Sequence, residues 1–272
     1  MQYLQVRHYV LPQLGLGTFE LQGKEASNVT EMALSMGYRH IDTAQMYGNE
    51  TQVGTAIRRS SVDRDDLWIT TKVWHTELAE GRFLPSVQAS LDRLGLDYVD
   101  LLLIHWPSKE VSVEEAVMGL MQAQDREYCR AIGVSNFPKS YVETALEMGA
   151  EIITNQVEYH PLLDQRELLY YLVENKMSLT AYSPLGQGHV LNDPTIKDIA
   201  ANYGKSPAQI ALRWLIEQDE VLALPRSTNP RHLRSNLDVF NFRLSQEDKL
   251  ALDMLSEQNR RIVNPDFAPE WD

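Results

Sequence analysis

Short apolar runs recur along this chain, each followed by a longer stretch with apolar residues at helical spacing. The runs are LGLGTF from Leu14, YRHID from Tyr38, LWITTK from Leu67, YVDLLLIH from Tyr98, RAIGVSN from Arg130, IITNQVEY from Ile152, SLTAYSPL from Ser178 and VLALPRS from Val221. They read as near-continuous apolar runs, as strands covered on both faces do. Helices are expected to start near Lys24, Glu50, Gly81, Val113, Lys139, Gln165, Pro194 and Pro230. Start signals support several of them. Ser112 precedes Glu115 by the spacing of a capping box. Asp193-Pro194 and Asn229-Pro230 each put a capping side chain before a proline at the first helical position.

Eight strand-then-helix units predict an α/β chain with a parallel sheet, closed as a (β/α)8 TIM barrel in a single domain over residues 1–272. The opening QVRHYVLPQL reads as a short N-terminal hairpin plugging the lower end of the barrel. From Leu244 the chain holds one more helix, and NRRIVNPDFAPEWD then reads as a C-terminal loop over the site. The alternative is an open doubly wound sheet, which needs a glycine-rich turn opening a helix. Gly15 and Gly17 give G-x-G, but no third glycine follows at the right spacing and no helix begins there.

Composition then removes whole classes of partner. With 38 acidic against 25 basic residues the chain carries a formal charge of −13. Such a chain repels phosphate backbones and anionic lipid, so neither nucleic acid nor membrane is an expected partner. No apolar run reaches membrane-spanning length, and MQYLQVRHYVLPQ reads as neither signal peptide nor anchor. The one cysteine, Cys129, excludes an internal disulfide and fits a cytoplasmic location; it reads as a small core residue beside a strand. No heptad or long apolar helix face points to an oligomer, so a monomer is expected.

In a barrel of this kind chemistry collects where strands end. The second strand ends in Asp42, with Tyr47 in its loop; the third ends in Lys72 and the fourth in His105. Singly, each has a plain explanation: a turn cap, a packing ring, a snorkelling lysine, a hydrogen-bonded structural histidine. Four such groups at one end of three successive strands make chemical sense together. A tyrosine hydroxyl titrates near ~10 and is a weak acid at neutral pH. A neighbouring ammonium is expected to lower that value, and Asp42 to hold Lys72 charged in the interior. His105 can orient a substrate carbonyl beside Tyr47. This is equipment for reducing C=O, and the hydride must come from a cofactor. Ser135, Asn136 and Gln156 suit a carboxamide, and Tyr182 can stack on a nicotinamide face. Arg226, Ser227, Arg231 and Arg234 surround the start of the last helix of the repeat, where arginines make a phosphate site. The bland reading of that cluster is a solvated helix face.

HIDTAQMYGNE, ITTKVW, LLLIHWP, GVSNF, NQVEYHP, AYSPLG and LPRSTNP, in this order, resemble the aldo-keto reductases over nearly the whole chain. The ending FAPEWD looks most like the bacterial 2,5-diketo-D-gluconate reductases, particularly the B type. The resemblance implies Asp42, Tyr47, Lys72 and His105 as a catalytic tetrad. It implies Ser135, Asn136 and Gln156 on the carboxamide, Tyr182 under the ring, and Ser183 and Leu185 near the pyrophosphate. Arg226, Ser227, Thr228, His232 and Asn236 fall on the adenosine side, and Phe19, Trp74, Trp106, Phe267 and Trp271 line the substrate mouth. It further implies an extended NADPH and no metal; none of the seven histidines forms an H-x-x-x-H pair. There are departures. Arg226 stands where lysine is frequent, and His232 where many members carry an arginine for the 2′-phosphate, which leaves NADH open beside NADPH. Gln187 and His189 replace residues that latch a loop over the pyrophosphate in some members. Arg260 and Arg261 read either as favouring an acidic sugar or as solvated. Diketogluconate, methylglyoxal and small aromatic aldehydes all fit the aromatic mouth. Two other functions use the same barrel: a lyase with a Schiff base on Lys72, and a non-enzymatic cofactor-binding regulatory protein.

Overall fold

A computed structural model describes residues 2–271. A hairpin of β1 (Tyr3–Val6) and β2 (Tyr9–Pro12) opens the chain. Then strand and helix alternate: β3 (Leu16–Gly17), α1 (Gly23–Met36), β4 (His40–Asp42), α2 (Glu50–Arg59), β5 (Trp68–Val73), α3 (Phe83–Leu94), β6 (Val99–Ile104) and α4 (Val113–Asp125). Next come β7 (Cys129–Ser135), α5 (Lys139–Glu147), β8 (Ile152–Glu158), α6 (Arg166–Glu174), β9 (Ser178–Tyr182), α7 (Pro194–Tyr203) and α8 (Pro207–Ile216). The series ends with β10 (Val221–Ala223), α9 (Pro230–Leu237) and α10 (Gln246–Ser256). Strands β3 to β10 form one sheet in sequential order, with parallel pairing from β3 through β8 and between β9 and β10. The fold is a (β/α)8 barrel with an N-terminal antiparallel hairpin, as the repeat predicts.

All eight expected strands form, and all but one residue of β4 to β8 is buried. That is why they lack the alternation of half-exposed strands. Two local expectations change. Ser112 caps α4 by accepting the Glu115 N–H, but the Glu115 carboxylate accepts from the Glu80 N–H instead of returning to the cap. The complete capping box lies at Ser206 and Gln209, opening α8. The seventh unit therefore has two helices where one is expected. Gly204, in the left-handed region, ends α7, and Ser206-Pro207 starts α8, whose last eight residues are all buried.

The chain divides into two compact units. One holds the hairpin up to Gly15 and Val157–Asn264; the other holds Leu16–Gln156 and the tail from Pro265. In the first unit, Arg7 in the hairpin turn donates to the Asn175 carbonyl ahead of β9. Gln13 donates to the carbonyls of Ile216 and Val221, ahead of and at the start of β10. The hairpin is thus tied to the entry side of those strands. Leu14 pairs in parallel with Ala223, and Gly15 N–H reaches the Ala223 carbonyl. In the second unit β3 to β7 run side by side, with Asp42 opposite Thr70 and Lys72 opposite Leu103. Cys129 is buried in β7, where burial pushes its thiol up to about 12.

Candidate active site

The register of β4 and β5 makes the central ion pair. Asp42 is level with Thr70, and Lys72 lies two residues further, on the same face of the pleat. The Lys72 ammonium donates to Asp42 Oδ1 at 2.5 Å, to the Thr43 carbonyl at 3.0 Å and to the Tyr47 hydroxyl at 3.2 Å. Three donors meet three acceptors, which is what a fully buried lysine requires. Tyr47 ends a short 3-10 turn over Gln45–Tyr47 and is half-buried. His105 follows β6 immediately, its N–H bonded to the Val73 carbonyl and its ring 5.5 Å from that of Tyr47. The four groups that the sequence places at strand ends converge.

Their protonation is set mainly by burial. Burial, then the Asp42 carboxylate, pushes the Tyr47 phenol well above its ordinary value. Burial pulls Lys72 down, while the charge and hydrogen bond of Asp42 and the charge of Glu50 oppose it. Burial, then Lys72 and His75, holds the His105 imidazole well below its ordinary value. The expected net lowering of Tyr47 by Lys72 is therefore not what this packing gives. Dehydration of the phenolate outweighs the rest, and the Asp42 carboxylate pushes in the same direction. Tyr47 and His105 are thus neutral at neutral pH, the phenol holding a proton to give.

The carboxamide candidates adjoin this cluster. Ser135 and Gln156 are paired across β7 and β8, and the Ser135 hydroxyl donates to the Gln156 carbonyl at 2.7 Å. Asn136 has φ of 60°, a left-handed conformation unusual outside glycine, and its amide donates to the His105 carbonyl and to Ser135 Oγ. Gln156 donates to Asp42 Oδ2 at 2.8 Å. The Gln156 side-chain oxygen takes no donor from the described residues, which leaves an acceptor for a carboxamide N–H. The mouth aromatics also meet. Phe19 packs on Tyr47 at 5.2 Å, Trp74 on His105 at 5.2 Å, and Phe267 on Trp74 and Trp106 at 5.5 Å each. Trp271 is 6.1 Å from Trp106.

In the other unit, Tyr182 ends β9, and Ser183 follows with φ of 46°, a second strained non-glycine residue among the candidates. Both are half-buried, as is Leu185. Ser227 lies 3.5 Å from the His232 ring and caps the Asn229 N–H. Asn236 is buried in α9, whereas Arg226, Thr228, Arg231, His232 and Arg234 are exposed. Arg260 and Arg261 are not simply solvated: Arg260 reaches His189 at 3.3 Å, and half-buried Arg261 faces the Glu158 carboxylate.

Several supporting residues escape a reading by strand ends. Asn49 accepts from Thr43 and donates to the Thr18 and Leu21 carbonyls, fixing the loop that carries Tyr47. Gln45 donates to Ser86 and Ser90 and accepts the Trp74 N–H, positioning that mouth residue. Both occur inside the quoted HIDTAQMYGNE, where a buried amide had only its loop position as a signal. Glu158, at the end of β8, accepts from His160, Ile262 and Val263.

Comparison with known proteins follows the same outline. The chain is 43% identical over 267 residues to methylglyoxal reductase DkgB of Escherichia coli O157:H7, covering 96% of this chain and 99% of that one. It is 40% identical over 265 residues to a 9,11-endoperoxide prostaglandin H2 reductase of Trypanosoma cruzi, covering 95% and 93%. A crystal structure of a protein assigned as a 2,5-diketo-D-gluconic acid reductase B superposes with a TM-score of 0.97 at 42% identity, over 100% of this chain and 98% of that one. The profile of the Aldo/keto reductase family matches residues 13–257, and the chain belongs to that family.

Proposed function

We propose that this protein reduces small aldehydes and ketones to alcohols, with Tyr47 as the proton donor and NADPH as the source of reducing equivalents. The bound nicotinamide supplies the hydride. Carbonyl reduction is the activity the family membership supports. The observation that carries the finer reading is the hydrogen-bonded line Asp42–Lys72–Tyr47 beside a neutral His105.

Each residue then has one task. Neutral His105 offers a hydrogen bond to the substrate carbonyl oxygen and holds it near Tyr47. Tyr47 gives its proton as negative charge develops on that oxygen. Lys72 stabilises the phenolate left behind, and Asp42 keeps Lys72 charged despite its burial. Ser135, Asn136 and Gln156 hold the carboxamide, with the Gln156 oxygen as acceptor, and Tyr182 stacks on the ring. Ser183 and Leu185 take the pyrophosphate. Arg226, Ser227, Thr228, His232 and Asn236 take the adenosine end, where the charge of Arg226 favours a 2′-phosphate. Phe19, Trp74, Trp106, Phe267 and Trp271 exclude water and grip the carbonyl compound. A Schiff base on Lys72 is disfavoured, because all three of its N–H groups are already engaged and no lone pair faces a substrate.

The test is loss of nicotinamide absorbance with NADPH and then NADH, against methylglyoxal, 2,5-diketogluconate and aromatic aldehydes. Turnover with NADPH and one of these carbonyls is the expected result. NADPH binding without oxidation by any carbonyl would replace this reading with that of a regulatory barrel.

A further inference from the structure

His75 has no task in the chemistry above, although it follows Trp74 in the unit that also holds Asp42, Lys72 and His105. It opens a single 3-10 turn, His75–Glu77, after β5. Its ring stacks on Phe267 at 4.5 Å and 27°, and meets Trp74 at 4.6 Å. Trp74 also packs on His105 at 5.2 Å, so one indole touches both imidazoles. His75 is half-buried, and neither of its ring nitrogens makes a hydrogen bond with a described residue. The aromatic mouth thus includes an imidazole whose polar edge is open to a ligand. Charged groups bear on it from neighbouring elements. Burial pulls the His75 value down, and the Glu110 carboxylate, exposed in the loop after β6, pushes it back up. His75 in turn helps to hold His105 down. On its own turn, Glu77 takes the Thr76 hydroxyl. From the same loop as Glu110, Lys109 donates to the Asp266 carbonyl, one residue ahead of Phe267. The His75 ring is therefore neutral near pH 7 and gains its proton below 6.5.

We propose that His75 is a specificity-determining residue of the mouth: as an imidazolium beside Trp74 it donates to a carboxylate on the substrate, so that the preference for acidic over neutral carbonyl compounds depends on pH. A chain of −13 formal charge repels an anionic substrate at long range, so discrimination in its favour has to come from a cation at the site itself. An imidazolium has two N–H donors, and a hydrogen bond with both partners charged is the stronger kind. The face of Phe267 favours the charged ring as well. Glu110 repels the carboxylate, but from an exposed position where water and salt screen it. A bound carboxylate favours the protonated ring. The preference is therefore complete below the His75 value and lost as pH rises through it. This inference rests on the reading that His105, Trp74 and Phe267 face the substrate.

A pair of substrates isolates the effect. The para-carboxylate of benzaldehyde and para-formylbenzamide differ in charge and hardly in shape. KM and kcat are measured for both with NADPH, from about pH 5.5 to about pH 8. The ratio of KM for the amide to KM for the acid cancels every effect common to the two. In the unaltered protein this ratio is expected to rise about fivefold as pH falls across that range, with the ratio of kcat values within about twofold. His75→Gln should flatten the dependence. His75→Lys should keep the higher ratio at every pH, a rescue that a merely structural role would not give. Glu110→Gln removes the group that holds His75 up, so it should move the rise to lower pH. Because Glu110 is exposed, that variant carries the test if those at His75 fold poorly. A ratio independent of pH in the unaltered protein would overturn the proposal, as would a dependence that persists in His75→Gln. If neither aldehyde is reduced at any pH, the reading of the reaction fails and this inference falls with it, a result distinct from turnover without discrimination.

Discussion

The residues proposed for chemistry and those proposed for the cofactor's adenosine end are built on opposite plans. Asp42, Lys72 and His105 stand at the ends of fully buried strands, and each side chain or its neighbours are pinned by bonds to the backbone. Arg226, Thr228, Arg231, His232 and Arg234 stand exposed on a loop and on α9. The first plan fixes atoms in place before a substrate arrives, at the cost of burying charge. The second reads its ligand by charge from solvent, where geometry is loose and single changes are tolerated. Chemistry should therefore be brittle to substitution and cofactor preference adjustable.

The widest gap is expected at Tyr47. Tyr47→Phe should lower kcat/KM about a thousandfold, with NADPH affinity by fluorescence titration nearly unchanged. Asp42→Asn comes next. It leaves the Lys72 ammonium buried without its counter-charge, which should destabilise the fold by about 3 kcal/mol in urea unfolding and slow turnover about a hundredfold. The pH profile sharpens the same point. His105 is held well below 6.5, so it stays neutral as pH falls through that value, and kcat/KM should show no acid limb there. Lys72 is lowered from 10.5 while Tyr47 is raised from 10.0, so the basic limb should belong to Lys72 and fall below 10.5. Asp42→Asn removes the group that holds Lys72 up, and should move that limb to lower pH. At the exposed end effects should be small and confined to one cofactor. Arg226→Ser should raise KM for NADPH about tenfold and leave NADH unaltered; His232→Arg should lower KM for NADPH about threefold. A large loss of kcat from either would break the comparison.

The sequence made the strands and the tetrad legible for one reason: both are recorded in residue order. A buried parallel strand is an apolar run, and the polar residue that ends it marks the face where loops begin. Helix α8 was not anticipated between the helix starts expected near Pro194 and Pro230, although Ser206-Pro207 with Gln209 carried the start signal. The direction of the Tyr47 shift was not legible at all. It depends on how far packing dehydrates the phenol and on where Asp42 ends up, and neither quantity is local. Glu158 was hidden likewise, since its donors Ile262 and Val263 lie more than a hundred residues away.

The two bonds that Asp42 accepts limit how this protein can change over generations. The two oxygens of Asp42 are divided between Lys72 and the Gln156 amide. In the proposed mechanism the group that keeps Lys72 charged is thus also the group that orients Gln156, the proposed carboxamide holder. Substitutions at Gln156 meant to alter the nicotinamide seat would disturb proton transfer as well, and selection cannot tune the two separately. At the proposed adenosine end, Arg226, Thr228, Arg231, His232 and Arg234 stand exposed. Lineages and engineers alike should find that this scaffold trades one dinucleotide for another by changes around α9, while the proposed nicotinamide seat stays fixed.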